Sequence, residues 1–390
     1  MTDTTNPVEK SKALGKKAKT NSSVNNKQEH VYHVSKNIEM QDDNNKLLRQ
    51  LTLFTHDNSE STYKSGDEKS NAIEIWDVLP KYSTNENTLV QVGELKNPVA
   101  IRETTIYGQV YRTSIIPAQL NRNETKSGEI EWHYPSKREM YVEEALMKLA
   151  VSGSANADTK FVGVKFTLTE LIEELKRNKH TLSLQQLKEA LMICHRSRIE
   201  VHTEDGRNIV SATIFPMMGL TSREDYLANA NANATCYVQF NQLVTVSIQT
   251  LTFRQYNYSK SMSLTKGLSN PIYKRLVLHW TQASSADPYT FKMSTMLENS
   301  ARMTVKNSQS DRRLMYSTLE QLKLHRILAD EHSEVVIKEG RKIVDIKFTV
   351  YPHEEFIEEV IQANQVQKRN KELFSLDNGI SKLKALAKAK

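Results

Sequence analysis

Cysteine is almost missing from this chain. Only Cys194 and Cys236 occur in 390 residues, which excludes a disulfide framework or a Cys-rich zinc site and makes buried thiols the expectation. Long apolar runs are missing as well. No stretch approaches the roughly 18 consecutive apolar residues of a spanning helix, and the polar, Asn/Lys/Thr-rich start lacks the apolar centre of a signal peptide. The expectation is a cytoplasmic chain without a membrane partner. There is no G-x-x-x-x-G-K-[ST] phosphate loop, so the chain is not expected to hydrolyse ATP. A metal-dependent nickase would need two His separated by one apolar residue, plus a Tyr nucleophile. His30 and His33 are separated by two residues in a polar segment, and His195 reads as a surface or capping residue near a helix end. No enzyme activity, catalytic residue, cofactor or metal is expected.

What is present is charge of both signs. The 53 basic and 46 acidic residues leave a net +7, which favours a polyanionic partner through placement more than through the sum. At about 150 residues per domain the length suits two or three domains. The composition divides it at 1–70, 71–250, 251–355 and 356–390. Residues 1 to about 45 hold too few apolar side chains to offset the entropy of ordering, which predicts a disordered N-terminal region. Its lysines at 10, 12, 16, 17 and 19 read as a solvated tail. Inside the polar region stands Gln50-Leu51-Thr52-Leu53-Phe54, followed by the polar stretch His56 to Ser70. Apolar side chains set in a flexible segment can be buried only in a partner's pocket, which is how a peptide-docking motif reads. The five residues match the Gln-Leu-x-Leu-Phe peptide that docks on the bacterial sliding clamp, with Gln50, Leu51, Leu53 and Phe54 as contacts. The alternative is a small strand covering the first domain.

From Ala72 to Arg122, Ile73-Glu74-Ile75-Trp76, Leu89-Val90-Gln91-Val92 and Val110-Tyr111-Arg112 alternate as short strands of a small sheet. A helix over Met140 to Val151 and an extended Lys160 to Phe166 follow. Thr167-x-x-Glu170 and Ser183-x-x-Gln186 are capping boxes that start two further helices. In the latter, Leu184, Leu187, Ala190, Leu191 and Cys194 are expected on one face, with Gln185, Gln186 and Glu189 off it. A hairpin turns at Asp205-Gly206, between Ile199/Val201 and Val210/Ala212/Ile214. Asp225 to Ala234 reads as a loop, Thr235 to Phe240 as a strand, and Val244 to Ser269 as the join to a second unit.

That second unit repeats the succession. Asn270-Pro271 reads as an N-cap with Pro at the first helical position, opening a helix to Trp280. An extended Tyr289-Thr290-Phe291 and a helix near Ser294 to Arg302 lead to a longer helix after Ser310. There Leu314, Met315, Leu319 and Leu322 recur at helical spacing, turning Arg313, Tyr316, Ser317 and Glu320 outward. In the closing hairpin Val344, Ile346, Phe348 and Val350 alternate with Asp345, Lys347 and Thr349, and the tip is Glu339 to Lys342. Both units end alike, in Ile214-Phe215-Pro216 and Val350-Tyr351-Pro352. Glu354 to Lys371 reads as a helix ahead of a basic end. The fold predicted is α+β: two tandem winged-helix domains behind a disordered N-terminal region.

A helix fits the major groove, where Arg donates two hydrogen bonds to guanine while other cations hold phosphates. Arg313 is assigned to bases, and Lys306, Arg312 and Lys323 to backbone or neighbouring bases. Tyr316, Ser317 and Glu320 share the reading face, and Arg341 and Lys342 sit at the wing tip. In the first unit Lys179, His180, Gln185, Gln186 and Arg207 occupy corresponding places with less charge.

The order Phe253-x-Gln255-Tyr256, Ser269-Asn270-Pro271-Ile272-Tyr273-x-Arg275-Leu276, a second helix and then Asp311-Arg312-Arg313 resembles the iteron-binding plasmid replication initiators. The C-terminal half is similar to the F-plasmid type, and the overall organisation to the broad-host-range type. The resemblance spans roughly residues 50–352, most fully 251–352. It implies binding of double-stranded origin DNA at direct repeats as a monomer, and repression of the protein's own gene as a dimer. It further implies the sliding clamp, the host initiator DnaA and the replicative helicase as partners. The paired arginines of the family's second recognition helix fall on Arg312 and Arg313. A winged-helix repressor without a replication role is the alternative, and a nicking relaxase a third reading from another class.

Overall fold

The structure is a computed structural model that describes residues 47–48, 50–55, 68–83, 89–90, 99–106, 108–121, 131–158, 161–205, 209–220, 235–299 and 309–388. The chain divides into Met1–Lys46, which lies outside the described residues, and the compact unit Leu47–Lys390. Among the described residues no helix is long and apolar enough to cross a membrane.

The compact unit begins with helical residues 47–48 and 50–55 (α1), where the sequence suggested an unstructured docking peptide. Leu47, Leu51 and Phe54, at helical i, i+4, i+7 spacing, are all buried, and Leu53 is half-buried against the same core. Phe54 meets Phe253 edge-on at 5.1 Å, the buried Gln50 amide donates to the Gln249 carbonyl, and Asn71 Nδ2 donates to the Phe54 carbonyl at 2.8 Å. The pocket for this peptide is thus supplied within the same chain, in part by a residue 199 positions away. Next, β1 (Lys69–Ile73) ends earlier than the alternation to Trp76 implied. Residues 74–78 turn instead, with Asp77 accepting from the Ile73 N–H at 2.6 Å and Trp76 fully buried.

Strands β2 (Leu89–Val90), β3 (Ala100–Ile106), β4 (Gln109–Ile116), β5 (Ala118–Leu120) and β6 (Glu131–His133) precede α2 (Lys137–Leu149). A π-helical turn and β7 (Ala155–Asp158) lead into β8 (Phe161–Phe166). Both predicted capping boxes form. Thr167 and Glu170 bond reciprocally at the start of α3 (Leu168–Arg177), as do Ser183 and Gln186 at α4 (Leu184–Arg196). The hairpin β9 (Arg198–Thr203) and β10 (Ile209–Thr213) follows, then β11 (Met217–Gly219) and β12 (Cys236–Gln239). Residues 225–234, expected as a loop, lie outside the described residues.

The join between units is itself structured: α5 (Gln242–Thr250), β13 (Phe253–Asn257) and α6 (Tyr258–Ser263). Strand β13 pairs antiparallel with β1, so the amino-terminal strand is stitched to the middle of the chain. The second unit is α7 (Ser269–His279), β14 (Tyr289–Lys292), α8 (Met293–Glu298), α9 (Gln309–Leu324), and the hairpin β15 (Leu328–Glu339) and β16 (Lys342–Pro352). A terminal helix α10 (Glu354–Lys388) outruns the predicted end at 371. It is tied back by Arg254 to Asn364 at 2.8 Å, and by Lys260 and Tyr273 to Glu359 at 2.6 and 2.9 Å.

Asn270 is not the N-cap of α7. The cap is Leu268, two residues earlier, and the buried Asn270 amide donates instead to Glu144 (3.0 Å) and to both oxygens of Ser261. This belongs to a charged network at the junction of the units. Lys274 of α7 contacts Asp77 at 3.1 Å and Glu144 of α2 at 2.8 Å, and Lys81 contacts Asp77 at 3.7 Å and Glu143 at 3.3 Å. Trp76 Nε1 and the Tyr82 hydroxyl complete Glu143. Burial opposes charge on Asp77, but Lys274 and Lys81 outweigh it and hold its carboxyl below the ordinary 3.8. Burial likewise disfavours the Lys274 ammonium, yet Asp77 and Glu144 carry its pKa well above the usual lysine value. One continuous hydrophobic core runs from α1 through both units to α10.

Candidate nucleic-acid interface

Helix α9 owes its orientation to three fully buried side chains, Met315, Leu319 and Leu322, with Leu314 half-buried beside them. Its polar side chains Thr318 and Gln321 are buried too. Thr318 Oγ1 accepts from the Leu268 N–H at 2.9 Å, and Gln321 Oε1 accepts from the Lys266 N–H at 2.6 Å, which pins the helix to the loop before α7. Gly267 permits this approach: it sits at φ +55, and a Cβ there would collide with Thr318 Oγ1. The opposite face is therefore fixed outward, and Arg313, Tyr316, Ser317 and Glu320 are all exposed as predicted, with Arg312 half-buried at the edge.

Two of these residues have partners the sequence did not indicate. The Tyr316 hydroxyl donates to Glu334 of β15 at 2.8 Å while its ring meets Phe348 edge-on at 5.9 Å, so it braces the helix against the wing. Partial burial, then the Glu334 carboxylate, pushes its phenol pKa up. Lys323 is held between Glu320 at 3.2 Å and His332 Nδ1 at 3.3 Å with a largely buried side chain, so it is engaged within the protein surface. Lys306 lies outside the described residues. The wing turns at Gly340, φ +61, and presents Arg341 and Lys342 exposed.

Within β16, Ile346, Phe348 and Val350 face inward as the alternation predicted, but Asp345, expected on the polar face, is buried. Its carboxylate accepts from the Ser294 N–H at 3.1 Å and the Ser294 hydroxyl at 2.6 Å, capping α8 from another element. The register also slips there, from Ile337 opposite Asp345 to Lys338 opposite Ile343. No local pattern announces a cap supplied from 51 residues away.

The first unit offers a plainer surface. Leu187, Ala190, Leu191 and Cys194 are fully buried, but Leu184, predicted among them, is 49 % exposed at the first turn of α4. Burial raises the Cys194 thiol pKa well above its ordinary value, with Glu139 and Glu143 adding to the shift. Gln185 and Gln186 are exposed, although the Gln186 side chain is occupied by the capping box. Lys179 is exposed in a left-handed conformation at φ +66. His180 turns away from the predicted role: it stacks on Tyr141 at 3.8 Å and meets the Met262 carbonyl at 2.7 Å, joining the first unit to α6. Arg207 lies outside the described residues.

The junction network was missed in the sequence. A signal existed in α2, where Glu139, Glu143, Glu144 and Lys148 are buried along with the apolar residues, so the helix is enclosed on all sides.

Two helix-helix-helix-hairpin units, each with one helix face exposed beside a hairpin, define a tandem winged-helix protein. No family model and no curated protein matches the chain. Among solved structures it is similar to selenomethionine derivatives of domains 2 and 3 of RctB, with a TM-score of 0.40, 9% identity, and 67% of this chain and 94% of that chain covered. It is similar to a second structure of RctB domains 2–3, with TM-score 0.38, 9% identity, and coverage of 70% and 97%. It is also similar to the Pi initiator protein in complex with iteron DNA, with TM-score 0.38, 16% identity, and coverage of 62% and 98%.

Proposed function

We propose that the protein is a plasmid replication initiator that binds direct repeats in origin DNA through its two winged helices. The observation that carries this reading is the outward face of α9. Arg313 stands exposed at the amino-terminal part of a helix braced on its wing, with Arg341 and Lys342 at the wing tip. That arrangement suits a helix in the major groove and cations on the neighbouring backbone. The motif order from Phe253 to Arg313 adds the initiator reading to the DNA-binding one. In this reading the protein helps open the origin and assembles the sliding clamp, DnaA and the replicative helicase there without a catalytic step of its own. As a dimer it represses its own gene.

A winged-helix repressor without a replication role is the second reading, and the burial of Gln50, Leu51 and Phe54 favours it, because a free clamp-docking peptide was what set the initiator apart. Clamp docking through Leu53 and Phe54 requires α1 to leave the core. A mobility-shift titration on DNA flanking the gene, at several salt concentrations, separates the two. Ladder-like complexes on direct repeats support the initiator, and a single complex on one inverted repeat supports the repressor. Arg313→Ala is expected to cost about 1–3 kcal/mol on the specific site only. Arg341→Ala is expected to weaken all DNA and to lower the salt slope by about one. Equal binding to every sequence would overturn both readings.

A further inference from the structure

Glu320 is the one exposed acid among the described residues of α9, and it shares the outward face with Arg313 and Ser317. Phosphates line both edges of a DNA groove and repel a carboxylate. The Glu320 side chain is 72 % exposed, so packing against the protein does not account for it. Its place on the helix does. Ser317 and Glu320 follow Arg313 by four and seven residues, and seven residues are two helical turns to within about 20°. The three side chains therefore form one stripe. Its ends are separated along the axis by about 10.5 Å, the length of about three base-pair steps.

The carboxylate is also held. Lys323 Nζ donates to Glu320 Oε1 at 3.2 Å and to His332 Nδ1 on β15 at 3.3 Å, and the lysine side chain is only 13 % exposed. The wing thus fixes the lysine, and the lysine fixes one carboxylate oxygen. Among the described residues Glu320 Oε2 accepts no hydrogen bond, which leaves it to a donor from outside the protein.

In the major groove only two base atoms are such donors, cytosine N4 and adenine N6. Adenine N6 is flanked by two acceptors, its own N7 and thymine O4, which repel a carboxylate. Cytosine N4 has one such neighbour, guanine O6. We infer, on the DNA-binding reading of α9, that Glu320 reads a cytosine about three base pairs from the guanine read by Arg313, with Lys323 as its positioning residue. Ser317 lies between them with a short hydroxyl that both donates and accepts, so it selects no base.

The test is selection by the full chain from a duplex library with a randomised core, with sequencing of the bound fraction. The wild type is expected to enrich a motif with a guanine and a cytosine about three base pairs apart. Glu320→Gln should move the preference at the cytosine position to adenine, whose N6 and N7 match an amide, and leave the guanine unchanged. Replacing that cytosine base pair should weaken wild-type binding roughly tenfold or more, and Glu320→Ala binding by less than about twofold. Glu320→Ala should also hold unrelated duplex more tightly, because the repelled carboxylate is gone. Lys323→Met should weaken the cytosine preference alone, a change that lost stability would not confine to one base pair. Arg313→Ala should do the converse, losing the guanine and keeping the cytosine. An enriched motif that Arg313→Ala alters and neither Glu320 variant alters overturns the role of Glu320 and leaves DNA reading by α9 standing. A library with no enriched motif overturns both.

Discussion

The two units run through the same succession of elements, yet their sheets close differently. In the second unit β14 pairs directly with β16, giving a three-stranded sheet in the order β14-β16-β15. In the first, β8 stands in the corresponding place but pairs with β7 and β12, and the hairpin β9–β10 is completed instead by β4 and β3. A lone two-stranded hairpin is marginal in water, so each wing needs a third strand, and the two units have found it in different places. The first wing is short and buttressed by the amino-terminal hairpin. The second spans 12- and 11-residue strands and leaves β15 at an edge. Charge follows the same division, with a neutral outer face around Gln185 and Gln186 on α4 and paired arginines on α9.

The largest effects are expected where the units are joined, since that is where their difference is held in one body. Lys274→Ala strips the buried Asp77 and Glu144 of their shared cation and should cost about 3–5 kcal/mol in urea unfolding. Retention of full stability would mean that the units stand independently. The same network predicts an acid limb. The Asp77 carboxyl lies below its unfolded value of 3.8, so its contribution is full above that value and is lost as pH falls through the folded one. Stability measured against pH should flatten there in Asp77→Asn.

Phe54→Ala should cost roughly 3–5 kcal/mol through the cavity left against Phe253, whereas an exposed docking peptide would give no change in Tm. Ser183→Ala removes the acceptor for the Gln186 N–H and should cost about 1 kcal/mol, confined to the first unit. Smallest is Tyr316→Phe, which loses the hydroxyl bond to Glu334 while keeping the ring on Phe348. About 0.5 kcal/mol is expected by chemical denaturation, and a larger loss would mean that the brace sets the pose of α9.

Much of this was legible from local chemistry. Both capping boxes formed where Thr167/Glu170 and Ser183/Gln186 placed them, because each partner lies within one turn of the other. On α9 the apolar spacing placed Met315, Leu319 and Leu322 inward and Arg313, Tyr316, Ser317 and Glu320 outward, but it did not announce the buried polar Thr318 and Gln321, whose partners are backbone N–H groups before α7. What escaped depends on distant partners. Asp345 fits a polar alternation until Ser294 arrives beside it, and His180 looks like a surface cation until Tyr141 and Met262 enclose it. The Gln50–Phe54 peptide is the plainest case. Its apolar residues demand a pocket, as their setting implied, but nothing in the five letters says whether that pocket belongs to another protein or to Phe253.

The edge position of β15 has a consequence for solubility. A 12-residue strand with unpaired backbone groups along one side is a template for strands of other chains, and Val335 and Val336 on it are 61 % and 39 % exposed. Exposed carboxylates at Asp330, Glu331, Glu334 and Glu339 bracket the two valines, so a second β15 laid alongside in parallel register meets like charge before it meets apolar surface. The long wing that a DNA groove would accept is thus also a site of potential fibre growth, and its acidic residues act as gatekeepers against self-association.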